Sequence, residues 1–193
     1  PSTNANLGLQ IGYNYNHKYW LDFSGALANS TKLPEGNRIG FSPTIGAAWL
    51  LSSEDFLSAS SFIDHLKLSA SAGIVNTDLY INDFYLYENV YTQQNWFGWN
   101  DTYNNQAFTS IQGANPKLSF VKRKEFNLGI EGSFFKKLLW LESTFFITRM
   151  DGLPTQRFTQ YPDYFSTLVP YTNYNCNQYA GFDFLMNINT RDK

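Results

Sequence analysis

Two runs of alternation constrain this chain more than any other feature. Ile39, Phe41, Pro43, Ile45, Ala47, Trp49 and Leu51 are apolar, and Gly40, Ser42, Thr44, Gly46 and Ala48 between them are small or polar; only Leu50 breaks the pattern. After a connection, Leu66, Leu68, Ala70, Ala72 and Ile74 alternate with Lys67, Ser69, Ser71 and Gly73. Strand side chains point to opposite faces at every second residue, so each run builds one oily and one polar face. In a soluble sheet the oily face meets a second layer of core. In a membrane barrel it meets lipid, and the polar face lines the lumen.

Further strands are predicted over Leu7–Tyr15, Tyr19–Ala28, Glu125–Phe134, Leu138–Arg149 and Ala180–Asn189, giving seven with the two runs above. Asn16-His17-Lys18 and Lys136-Lys137 read as tight turns. Pro43 lacks an N–H for the ladder and predicts a bulge or local break. Ser53–Asp64 is expected to hold a helical turn, with Ser53 as its cap. Within the long segment Thr77–Phe120, Tyr80–Tyr91 is expected to extend the neighbouring strands.

Three regularities bear on lipid against water. The strand charges Asp22, Lys67, Glu125, Glu131, Glu142 and Asp183 fall on the polar face, as both settings require. Short connections follow the first, third and fifth strands and longer ones the others, which is the parity of an outer-membrane barrel. Tyr13, Tyr15, Tyr19, Trp49, Phe135 and Trp140 lie at strand ends beside the short connections, where an interfacial girdle belongs. A closed bacterial barrel has an even number of strands, about 8 or more, so seven strands read as part of a larger wall. The Pro-Ser-Thr start has no signal-peptide features, and a processed or excised piece is expected.

Composition excludes some functions. The 193 residues carry a net charge of −2, which gives no basic surface for nucleic acid. Mean hydropathy is negative and no apolar run reaches the roughly 20 residues of a membrane helix, which leaves barrels open. The single cysteine, Cys176, rules out an intramolecular disulfide and a multi-cysteine metal site, and reads as a loop bystander.

Five stretches resemble the SusC/RagA family of TonB-linked outer-membrane transporters. They are Tyr13-Asn14-Tyr15-Asn16-His17-Lys18-Tyr19; Asn37-Arg38-Ile39-Gly40-Phe41-Ser42-Pro43 with Ala48-Trp49 and Ser52-x-Glu54-x-Phe56; Leu66-Lys67-Leu68-x-Ala70-Ser71-x-Gly73; Asn115-Pro116-x-Leu118 with Phe126-Asn127-Leu128-Gly129; and Gly181-Phe182-Asp183. Phe120-Val121, Ser69, Ala72 and Ser42 depart from the family pattern and read as divergence. The resemblance implies an all-β, antiparallel up-and-down transmembrane barrel wall, part of a barrel of roughly 22 strands. Residues 1–193 would then be a partial barrel domain with long extracellular loops at 77–120 and 151–178, and neither plug nor TonB box is recognisable in them. The resemblance also implies outer-membrane import of a glycan or peptide, with a SusD-like surface lipoprotein and the TonB complex as partners and outer-membrane lipid around the wall. No cofactor is implied.

Candidate ligand contacts lie in the two long loops. Trp96, Trp99, Asp101, Tyr103 and Phe108 stand among Asn and Gln, and Tyr161, Tyr164, Tyr171 and Tyr174 repeat that composition with Phe165. Flat rings beside amides and a carboxylate suit a sugar or peptide; equally, the rings pack the loops or meet a lipoprotein. Asp64-His65 and the pair Glu131/Glu142 are the residues closest to acid/base chemistry. Neither sits in a nucleophile motif, and turn and lumen roles are expected. No catalytic residue or metal site is predicted. A passive porin or adhesin barrel, a soluble carbohydrate-binding β-sandwich and a barrel enzyme are the alternatives.

Overall fold

The computed structural model describes residues 4–58, 60–100, 103–162 and 168–190. Seven antiparallel strands form one open sheet: β1 (Asn4–Tyr15), β2 (Tyr19–Ser30), β3 (Ile39–Leu50), β4 (Ile63–Thr77), β7 (Val121–Phe134), β8 (Leu139–Gln156) and β9 (Tyr171–Ile188). Two more, β5 (Val90–Asn100) and β6 (Tyr103–Gln112), form a separate hairpin within the β4–β7 connection. Wall strands that are consecutive along the chain lie side by side, so the sheet is an up-and-down meander.

The register carries the alternation across every strand. One row runs Ile11, Phe23, Ile45, Ala72, Phe126, Ile147, Ala180. The next row, on the other face, runs Gly12, Asp22, Gly46, Ser71, Asn127, Phe146, Gly181. A slip of one residue at any strand would invert this arrangement. The apolar face is bare: Leu7 is 70% exposed and Ile11 58%. Among the described residues no second sheet covers it, which removes the basis for the sandwich alternative.

The turns obey local chemistry. Asn16 and His17 take positive φ (51° and 54°), as the tightest hairpin turns require, and Asn14 accepts a hydrogen bond from the His17 N–H at 2.9 Å. Phe135, Lys136 and Lys137 also turn at positive φ. The β3–β4 connection holds a short 3-10 turn, Leu51–Ser53, and a one-turn helix, Asp55–Ser58. The helical turn was expected, but the residue before the helix is Glu54, not Ser53.

Pro43 breaks the ladder on one side only. The backbone bonds Ser30 N–H to Arg38 O and Leu50 N–H to Lys18 O show that even-numbered residues of β3 turn toward β2. Pro43 therefore presents its missing N–H to β4. The β2–β3 register continues through Gly25–Pro43, while β3–β4 pairing stops at Thr44–Gly73.

Several expectations need correction. Residues 78–89 form turns and do not extend the wall; the strand there starts at Val90. β7 begins at Val121, β8 continues to Gln156 and β9 begins at Tyr171, so Cys176 lies on a strand and not in a loop. These extensions are largely polar, and ladder hydrogen bonds alone hold them in the sheet without an oily face. Trp140 does not join the girdle. It pairs with Ser133 and Asn187 on the polar face and stacks on His65 (5.8 Å between centroids, 14°).

Candidate functional site: the long-loop end of the sheet

The connections after β2, β4 and β8 converge at one end of the sheet, and the buried apolar residues collect there. Leu33, Ile81 and Leu118 are fully buried, and Leu86 and Phe120 nearly so, with Tyr87 and Tyr171 packed against them. Each of these segments is too short to hold a core alone, and together they remove one shared cluster from water.

Asparagine amides tie the segments to one another. Asn37 donates to Leu118 O at 3.0 Å, and Asn115 donates to Tyr171 O at 2.7 Å while accepting from Lys117 N–H at 3.0 Å. Asn173 accepts from Ser119 N–H at 2.9 Å and donates to Ser119 O at 2.8 Å and to Gly152 O at 2.7 Å. Buried backbone groups away from a regular ladder need such partners. Two glycines permit close approach. A Cβ on Gly113 would collide with Leu168 O, beside the Gly113–Pro170 bridge, and one on Gly40 would meet Asn76 and the Phe120 ring at 2.9 and 3.0 Å.

The predicted contact residues are distributed as follows. Trp96 and Trp99 fall on β5, and Tyr103 opens β6. Phe108 pairs with Gln93 on the hairpin and is 71% exposed. Tyr161 follows a 3-10 turn, Phe158–Gln160. Tyr171 packs against the loop core, and Tyr174 is covered by the Arg157 guanidinium at 3.5 Å from its ring centroid. Asp101, Tyr164 and Phe165 lie outside the described residues. Asn37 and Asn115 were visible in the sequence as parts of motifs. Asn173 was not, because nothing in its neighbourhood marks one amide among several as the one that joins Ser119 to Gly152.

The short-turn end has a different construction. The Glu54 carboxylate accepts from Tyr19 Oη at 2.8 Å and from Trp49 Nε1 at 3.1 Å, and pairs with Lys18 Nζ at 3.3 Å. Hydrogen bonds from Trp49 and then Tyr19, with Lys18 adding to them, hold its pKa below the ordinary glutamate range. Tyr19 stacks on Trp49 at 6.2 Å, with Tyr15 beyond it. The boundary rings thus keep their polar atoms bonded to a carboxylate at the turn.

The residues closest to acid/base chemistry are held in structural contacts. Asp64 accepts the Lys137 N–H at 2.8 Å. Glu131 and Glu142 are register neighbours, and Glu131 is paired with Lys67 at 2.9 Å and lies 3.5 Å from His65. Among the described residues no group of His, Cys, Asp and Glu could hold a metal ion.

No protein-family model matches the chain. TonB-dependent receptor P39 of Formosa agariphila is 30% identical over 149 residues, 77% of this chain and 14% of that protein. TonB-dependent receptor P26 of the same organism is 25% identical over 147 residues, 75% of this chain and 14% of that protein. The chain therefore spans about a seventh of the length of these relatives. Among solved structures, the RagAB peptide importer in its open-open state superposes with a TM-score of 0.80 over 96% of this chain and 19% of that one, at 18% identity. Its closed-closed state gives 0.78 over 98% of this chain and 20% of that one, also at 18% identity. That likeness is one of fold, and it places the seven strands in a barrel wall. With sequence relatives that are TonB-dependent receptors and a fold shared with the RagAB wall, this chain belongs to the TonB-dependent receptors as a length of their β-barrel.

Proposed function

We propose that the parent protein sits in the outer membrane and imports a nutrient, an oligosaccharide or a peptide, by a TonB-dependent mechanism with a SusD-like surface lipoprotein over its long loops. The bare apolar face, continuous over seven strands and opposed by a polar face, carries this reading, because an uncovered oily sheet is stable against lipid and not against water. The relatives' names and the fold shared with a peptide importer support it. The wall confines a path and performs no covalent chemistry. Trp96, Trp99, Asp101, Tyr103, Phe108, Tyr161, Tyr164, Tyr171 and Tyr174 are the proposed contacts to ligand or lipoprotein. Of these, Phe108 offers the most open described ring, while Tyr171 also serves packing.

The test is uptake of labelled oligosaccharide and peptide pools by cells with and without the parent gene, each with and without a protonophore. Loss of one pool's uptake on deletion and on de-energisation is expected. Uptake that depends on the gene but survives the protonophore would make the protein a passive porin.

A further inference from the structure

Among the described strand positions of the outward, apolar face, the charged residues gather at one corner. Its register positions on β1, β2, β3, β4 and β9 hold no charged residue. On β7 and β8 they hold Lys122, Lys124, Arg149 and Asp151. Lys124 follows Phe126 in the apolar column of β7 and faces Arg149 across the ladder; Lys122 faces Asp151. Asp151 pairs with Lys124 at 2.8 Å and with Arg149 at 2.6 Å, which leaves the cluster with three cations to one carboxylate. Both basic partners remain about half exposed.

Depth explains where the cluster lies. The column Phe126–Phe134 spans nine residues, and a barrel strand crosses the hydrocarbon in about 9–11. The cations therefore begin where the lipid-facing band ends, on the long-loop side, where Lys or Arg costs only about 0–1 kcal/mol. Next to them, the β3–β4 ladder opened by Pro43 leaves a cleft of about 400 Å³, where Ile39, Phe41, Pro43 and Ile74 meet Asn76 and Lys122. A cleft with both apolar and amide lining, beside a cluster of cations, fits an anionic amphiphile.

We propose that this corner binds a phosphate-bearing lipid of the surrounding leaflet, its phosphate on Lys122, Lys124 and Arg149 and an acyl chain against the β3–β4 cleft. The proposal rests on the membrane placement of the wall and not on what the protein imports.

The full-length parent protein, purified in a non-ionic detergent, would be titrated with diphosphoryl lipid A and, separately, with phosphatidylcholine, and adducts counted by native mass spectrometry. Lipid A adducts are expected to exceed those of the neutral lipid and to fall about tenfold to a hundredfold in K122Q/K124Q/R149Q. The change K136Q/K137Q, at the opposite end, is expected to leave them unaltered. If the triple variant loses its heat-modifiable band, the single variant K122Q, which breaks neither of the Asp151 pairs, is expected to lower them severalfold. Equal adducts for both lipids, or adducts indifferent to K122Q and to the triple change, would overturn the site. Recovery of the parent protein without detergent would instead sink the membrane reading itself.

Discussion

The wall and the long-loop end use the same apolar residue types in opposite ways. In the wall, Leu7 and Leu9 are 70% and 62% exposed, and none of the described residues buries them. At the long-loop end, Leu33 and Leu118 are fully buried under neighbouring loops. Alternation with a bare face is the signature of strands whose solvent is lipid. A closed cluster sealed by amide hydrogen bonds is what water demands. On the proposed membrane placement, the boundary between the two solvents falls between Phe126 and Lys124 on β7 and between Ile147 and Arg149 on β8. One chain therefore folds by two rules, and substitutions should have opposite consequences on either side of that line.

The largest expected effect is at the loop core. Leu118→Ala should cost about 2–5 kcal/mol of local stability. Proteolysis of the long loops in the folded parent protein should accelerate, while the heat-modifiable mobility of the barrel stays unaltered. If the barrel itself melts, the two regions are not separable. Next, Leu128→Arg places a cation in the apolar band and should cost about 2–4 kcal/mol in a bilayer. In contrast, Leu128 is 48% exposed in the isolated chain, so a water-solvated sheet would tolerate the change. Equal urea midpoints for wild type and variant during refolding into bilayers would show that this face does not meet lipid.

Smaller effects sharpen the picture at each end. Asn173→Ala removes the amide that joins Ser119 to Gly152 and leaves half-buried backbone groups without that partner, at about 1 kcal/mol. Loop proteolysis should report this loss too, by less than for Leu118→Ala. At the short-turn end, Glu54→Gln should weaken the clamp on Tyr19, Trp49 and Lys18. The folded-state pKa of Glu54 is depressed, so its contribution is fully present above the ordinary glutamate pKa of about 4.3 and is lost as pH falls through the lower folded value. The stability difference between wild type and Glu54→Gln should be constant above that pH and shrink below it. A difference that persists unchanged under acid would mean that the ionised form of Glu54 is not what the clamp uses.

How much of this was legible in the sequence follows the same boundary. Within the lipid band, alternation alone placed all seven wall strands and their faces, because each residue there must answer to lipid or lumen. Past the band that constraint lapses. The polar run Thr172–Gln178 and the charged run Lys122–Lys124 pair as strands through backbone bonds that leave no hydropathy pattern, so the alternation predicts no strand at either. Trp140 was assigned to the girdle by proximity along the chain, and only its partners Ser133 and Asn187 show that it faces the other way. The loop core was hidden because its members come from segments distant in sequence, each carrying only one or two buried residues. The Asn115-Pro116-x-Leu118 motif marked the place, and the structure supplies its reason: Leu118 fills the cluster while Asn115 fastens the chain to Tyr171.

The central claim is that the apolar face meets lipid. The most direct test is a nitroxide scan of residues 125–131 on β7, in the full-length protein with Cys176→Ser, inserted in lipid bilayers. Even-numbered positions 126, 128 and 130 should be relaxed strongly by oxygen and weakly by a water-soluble nickel chelate, and odd-numbered positions should lack that oxygen-dominated signature. Loss of the two-residue period, or nickel access at 126, 128 and 130, would contradict the account.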